Sequence, residues 1–67
     1  MRKWLVDIRG KRTQQEIAQL CGLSQQGYSA IEVGERRPSV DAAKKIAIVL
    51  DFDWTLFYQD EHDQNSA

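Results

Sequence analysis

One cysteine, one histidine and one proline stand among 67 residues. A single cysteine cannot close an internal disulfide, and one cysteine with one histidine cannot supply the ligands of a structural zinc site. No metal or other cofactor is therefore expected. No apolar run approaches the ~18 residues of a membrane span. The N-terminus lacks the apolar core of a signal peptide, so a cytoplasmic protein with no membrane partner is expected. The sequence also lacks a base–nucleophile pair and a phosphate-cradling glycine loop. A chain this short has little room for a substrate pocket, so neither an enzyme nor a small-molecule site is expected. Its core must be small. Helix packing or self-association has to supply the stability that no covalent or metal staple provides.

Excess positive charge is missing as well. The net charge is −1, which argues at first against a nucleic-acid partner. The distribution reverses that impression. Residues 1–37 carry seven basic side chains against four acidic ones, an excess of three positive charges. The bases cluster in RGKR at 9–12 and in ERR at 35–37. The stretch 60–67 holds Asp60, Glu61 and Asp63 and no base, and reads as an acidic polar tail, frayed and beyond the folded unit at 1–59. His62 falls in that tail and has no evident role.

What the chain does have is helical periodicity with clear punctuation at Gly10, Gly22, Gly34 and Pro38. Nothing alternates with period two for long enough to make a sheet. A first helix at about 2–9 carries Trp4, Leu5 and Ile8. A second opens at Thr13, which forms a capping box with Glu16. It presents Ile17, Leu20 and Cys21 as an apolar stripe and ends at Gly22. A third is capped by Ser24, buries Tyr28 and Ile31, and ends near Val33 with Gly34 beyond it. A fourth opens at Ser39 with Val40, Ala43, Ile46, Ala47 and Leu50 as its buried stripe. A short last helix begins near Asp53 with Trp54 and Phe57. The fold class expected is all-α, with five short helices.

The second and third helices are joined by roughly Gly22 to Ser24. So short a turn makes two helices cross steeply, and a steep crossing needs a small residue at the contact, here Ala18. Three stretches then stand in order: "TQQEIAQLCGLS" from Thr13, "IEVGERRPS" from Ile31 and "AKKIAIVLDF" from Ala43. Together they resemble the helix-turn-helix domain of the phage repressor and Cro family, the xenobiotic-response-element (XRE) class of bacterial and phage transcription regulators. The resemblance spans about residues 5–58, with the motif at about 13–33. It implies a lambda-repressor-like domain whose third helix lies in the DNA major groove, N-terminal residues toward the base edges.

Gln25 and Gln26 follow the Ser24 cap directly. A glutamine amide offers one donor edge and one acceptor, which match the N7 and N6 positions of adenine. Without the resemblance both could be ordinary solvated residues; with it, they are the leading base-reading candidates. Ser29 and Ala30 lie one turn deeper and join them as base-contacting candidates, Ala30 suited to a thymine methyl and Ser29 also within reach of a phosphate. Gln14 opens the second helix, where it can bond a phosphate and brace Gln25. Arg36 and Arg37, followed by the Ser39 cap, suit the DNA backbone. Thr13, Ser24, Lys11 and Arg12 join them as backbone candidates. The resemblance further implies a structural ion pair between Arg9 and Glu32.

Three features depart from the family pattern. The link between the first two helices is about two residues short. Tyr28 stands where an aliphatic residue is usual, so its hydroxyl needs a partner or a path to solvent. Gly27 and Val33 replace polar residues that often touch phosphate, and Gly27 costs about 1 kcal/mol of helix propensity.

These residues lead to a small homodimeric regulator, a repressor of phage or prophage type, on an inverted repeat in double-stranded DNA. The half-sites would lie about one turn, ~10 bp, apart. The last helix is aromatic enough to supply a dimer contact, with Leu56 and Tyr58 as candidates. A restriction–modification controller is an alternative. So is an antitoxin-like interaction module, which the net charge favours. Control through concentration, or through an antirepressor or toxin protein, fits a chain in which no sensor domain is evident.

Overall fold

The computed structural model describes residues 1–59, and the acidic stretch with His62 lies outside the described residues. Four helices follow in order: α1 (Lys3–Arg9), α2 (Gln14–Cys21), α3 (Gln25–Val33) and α4 (Val40–Leu50). A fifth, one-turn helix, α5, occupies residues 56–59, and no strand occurs among the described residues.

The starts of the helices are chemically specified. Thr13 Oγ1 accepts the Glu16 amide at 3.1 Å, and the Glu16 carboxylate returns to the Thr13 hydroxyl at 3.3 Å. Ser24 Oγ accepts the Gly27 amide at 3.0 Å, and Ser39 Oγ accepts the Ala42 amide at 3.1 Å. Each cap satisfies an amide that the helix cannot pair internally. Before α5 the Asp53 carboxylate accepts both the amide and the hydroxyl of Thr55.

Gly10 resolves the short link between α1 and α2. Its backbone sits at φ 63° and ψ −129°, a region open to glycine and strained for other residues. The chain therefore reverses at one residue, and the four residues from Gly10 to Thr13 suffice.

Leu5, Ile17, Ala18, Cys21, Tyr28, Ile31, Ala43, Ile46, Leu50 and Phe57 form one buried cluster. Ala18 is buried on α2, where that helix packs on α3, and its carbonyl accepts the Leu23 amide across the turn at 2.8 Å. Burial pushes the Cys21 thiol above its ordinary value, although Lys45 opposes the shift, so the thiolate that redox chemistry needs is disfavoured.

Two stripe residues are corrected. Leu20 is 63% exposed and Val40 46% exposed. Ile17, Ala18 and Cys21 set the inward arc of α2, and at ~100° per residue Leu20 falls about 60° outside it. Val40 is the first residue of α4, off the line through Ala43, Ile46, Ala47 and Leu50.

Arg2, one of the seven bases in residues 1–37, is only 3% exposed. Its amide donates to the Glu32 carbonyl and its Nη1 to the Ile31 carbonyl, both at 2.8 Å. Two of the last carbonyls of α3 are thus satisfied by one residue, and a guanidinium at that negative helix end is electrostatically favourable. The guanidinium also lies over the Phe57 ring, 5.7 Å from its centre.

Candidate nucleic-acid interface

The three-residue turn from Gly22 to Ser24 sets α3 against α2. Gly22 supplies the left-handed conformation at φ 71°, and Tyr28 and Ile31 anchor the inner face of α3 in the core. The opposite face of α3 is therefore turned outward. Gln25 and Gln26 are exposed, while Ser29 and Ala30 are half-buried. A shallow depression of about 400 Å³ gathers Gln14, Gln25, Gln26, Ser29 and Ala30, with Val33 and Glu35 completing its wall. Four base-reading candidates and one backbone candidate thus share a surface, although they belong to two helices.

A second depression, about 320 Å³, brings together Ser24, Arg36, Arg37 and Ser39 beside Gly27. The caps use only oxygen lone pairs of Ser24 and Ser39, which leaves each O–H for an acceptor outside the chain. Lys11, Arg12 and Thr13 are exposed but line neither depression. The Thr13 hydroxyl is engaged with Glu16.

Beneath this surface lies a buried ionic network. Arg9 Nε donates to Glu32 Oε2 at 2.8 Å and Arg9 Nη2 to Glu32 Oε1 at 3.0 Å. This is the two-pronged geometry that a guanidinium and a carboxylate favour. The Glu32 side chain is 2% exposed and that of Arg9 17%. Arg9 Nη1 also donates to the Arg12 carbonyl at 2.6 Å, so one side chain ties α1, the link and α3 together. Burial alone would raise the Glu32 carboxyl, but the hydrogen bonds from Arg9 and Gln14 outweigh it and hold it below its ordinary value. The Arg9 guanidinium moves up in turn, chiefly through its hydrogen bond with Glu32.

Gln14 differs from expectation. Its Nε2 donates to Glu32 Oε1 at 2.8 Å rather than bracing Gln25. A carboxylate only accepts, so it draws the amide nitrogen inward. The Tyr28 hydroxyl has no path to solvent, the residue being fully buried. It lies in the field of Glu32, and burial together with that carboxylate pushes it well above the usual phenol range.

One feature was not read from the sequence, a groove of about 500 Å³ lined by Lys44, Ile48, Asp51, Phe52, Asp53 and Trp54. Ile48 there is 80% exposed, Lys44 Nζ lies 5.1 Å from the centre of the Trp54 ring, and Trp54 meets Tyr58 edge-on at 5.4 Å. Tyr58 is exposed and Leu56 half-buried. Ile48 sits on α4 opposite the inward stripe, a signal the periodicity contains. Among the described residues no cluster could hold a metal ion, and no helix is long and apolar enough to cross a membrane.

Two helices packed across a tight turn, the second with its polar first turn facing outward, define a helix-turn-helix DNA-binding domain. The model of the helix-turn-helix family matches residues 2–57. An uncharacterized HTH-type transcriptional regulator, YqaF of Bacillus subtilis (strain 168), is 45% identical over 62 residues, covering 90% of this chain and 82% of that protein. No solved structure matches. The chain belongs to the helix-turn-helix family of phage repressor/Cro (XRE) type.

Proposed function

We propose that the protein is a sequence-specific regulator of transcription, a repressor of phage type, that binds duplex DNA as a small homodimer in the cytoplasm. The observation that carries this reading is the shared depression of Gln14, Gln25, Gln26, Ser29 and Ala30 on the outer face of α3. Gln25 and Gln26 read adenine edges in the major groove, each with a donor and an acceptor on one rigid amide. Ala30 packs on a thymine methyl, and Ser29 lies on the same groove-facing side. Arg36, Arg37, Ser24 and Ser39 hold one stretch of backbone, while Lys11, Arg12, Thr13 and Gln14 approach another. The Arg9–Glu32 pair keeps α1 and α3 in register beneath the contact surface. It also neutralises a carboxylate that would otherwise repel phosphate.

Homodimerisation rests on the groove beside α5. Around exposed Ile48 the groove carries one base, Lys44, and two acids, Asp51 and Asp53. Such a patch is complementary to itself: under a two-fold axis the lysine of one copy meets the acids of the next. Leu56 and Tyr58 extend the apolar part. A two-fold pair then matches an inverted repeat.

Mutation separates base reading from backbone holding. Gln25→Ala should relax the preference at one position in each half-site, with a loss of ~1–3 kcal/mol on the preferred sequence alone. Arg37→Ala should weaken all sequences alike and lower the salt slope by about one unit. Fluorescence anisotropy titrations on a panel of single-base variants distinguish the two. An equal loss on every sequence for both mutants would remove Gln25 from base reading.

A further inference from the structure

Val33 is the last residue of α3 and is half-buried. The half-buried apolar residues packed against the core, Trp4, Ile8 and Leu23 among them, do not include it. It lines the depression formed by Gln14, Gln25, Gln26, Ser29 and Ala30 instead. Helix geometry explains the grouping. At ~100° per residue, Ala30 and Val33 fall about 40° and about 20° to either side of Gln26, so the three share one line along the helix. The backbone at the end of that line is held in place: the Gly34 amide donates to the Ile31 carbonyl at 3.3 Å and the Glu35 amide to the Ala30 carbonyl at 2.9 Å. A β-branched side chain has one strongly preferred rotamer in a helix, so Val33 offers a short, stiff apolar surface.

This end of the depression is not built for a phosphate. Val33 has no hydrogen-bond donor, and Glu35, which lines the same wall, carries the wrong sign. The major groove offers a valine one apolar group on the base edges, the C5 methyl of thymine. We infer that Val33 is a specificity-determining residue that packs on a thymine methyl. Ala30 is already assigned one such methyl. Val33 lies three residues, ~4.5 Å, further along the helix axis, somewhat more than the ~3.4 Å between successive bases of a strand. It therefore meets a second thymine. The amides of Gln25 and Gln26 read hydrogen-bonding edges, and the strip of Ala30 and Val33 reads methyl groups beyond them. The inference rests on the proposed reading of bases by α3.

The test uses the duplex that the wild-type protein selects from a random library, with deoxyuridine replacing one thymidine at a time in one half-site. Uracil pairs as thymine does and lacks only the methyl group. Wild type and Val33→Ala are titrated by fluorescence anisotropy against each duplex. Alanine is a better helix former than valine and Val33 lies outside the core cluster, so the variant should fold, which circular dichroism verifies. At one thymine of the half-site, loss of the methyl should weaken wild-type binding about fourfold, the worth of one buried methyl group. The same change should cost Val33→Ala less than about twofold, because the methyl has lost its partner. At the thymine assigned to Ala30 the loss should persist in both proteins. The salt slope should be the same for both, since no phosphate contact is removed. Equal uracil losses in the two proteins at every position would overturn the inference, as would a selected half-site in which no thymine methyl matters. So would a Val33→Ala variant that is weakened alike on every sequence, which would give Val33 a structural role. A library that yields no enriched sequence would overturn the base reading by α3 itself.

Discussion

Arg9→Ala should leave the protein largely unfolded at 25 °C. The substitution strips a carboxylate that is 2% exposed of both bonds from its guanidinium partner. Removing one member of a buried ion pair costs about 3–5 kcal/mol, because the remaining charge stays out of water without compensation. A domain of this size holds only about 3–5 kcal/mol in total. The loss also frees the Arg12 carbonyl that Arg9 Nη1 holds, so the link before α2 loosens with the pair. Gln14 alone cannot replace a charge. Urea denaturation followed by circular dichroism measures the effect, and a cooperative transition close to that of the wild type would contradict it. Acid should act on the same pair. The folded Glu32 carboxyl sits below its ordinary value of 4.5, so its contribution to stability is present above that value and is lost as pH falls through the lower, folded one. The Arg9 guanidinium is pushed further up, away from neutrality, and has no consequence at neutral pH. Stability contributed by the pair should therefore be flat from neutrality down to about pH 5 and fall below it.

Phe57→Ala should be comparably severe, although it lies in a helical turn of four residues near the end of the described chain. Phe57 is fully buried. Its ring meets Trp4 edge-on at 5.2 Å and Phe52 at 5.8 Å, and Trp4 meets Phe52 at 5.4 Å. The three rings clamp α1 to the end of α4, and the Arg2 guanidinium lies over the same ring. Truncating a buried phenylalanine to alanine costs about 3–5 kcal/mol. The melting temperature should fall by at least about 12 °C, taking about 4–8 °C per kcal/mol in a domain of this size. A shift of a few degrees would mean that α5 is an appendage rather than part of the core.

How far this could be read in advance differs from element to element. The caps Thr13, Ser24 and Ser39 were legible because hydroxyl-bearing residues have one preferred job before an apolar periodic run. Four helices and the turn at Gly22 followed from that. The inward arcs were only partly legible. Periodicity gives a face but not its width, and so Leu20 and Val40 were assigned to the core when they lie at its margin. Arg2 was hidden for a different reason. A guanidinium at a chain start reads as surface, and only the carbonyls of Ile31 and Glu32, at the far end of α3, explain why it is buried. Gln14 reads as an outward helix start, and nothing local shows that Glu32 draws its amide inward. Long-range pairs of this kind have no local period. The grouping of Gln25, Gln26, Ser29 and Ala30 on one face did follow from helix geometry.

The central claim is that the outer face of α3 reads DNA sequence. Selection of bound duplexes from a random library, at moderate salt and over several rounds, tests it most directly. The account predicts an enriched inverted repeat with half-sites about one helical turn, ~10 bp, apart. Adenines should stand where Gln25 and Gln26 contact the groove, and repeating the selection with Gln25→Ala should erase the preference at one position of each half. A bound pool with no enriched sequence, or one that is identical for wild type and Gln25→Ala, would contradict it.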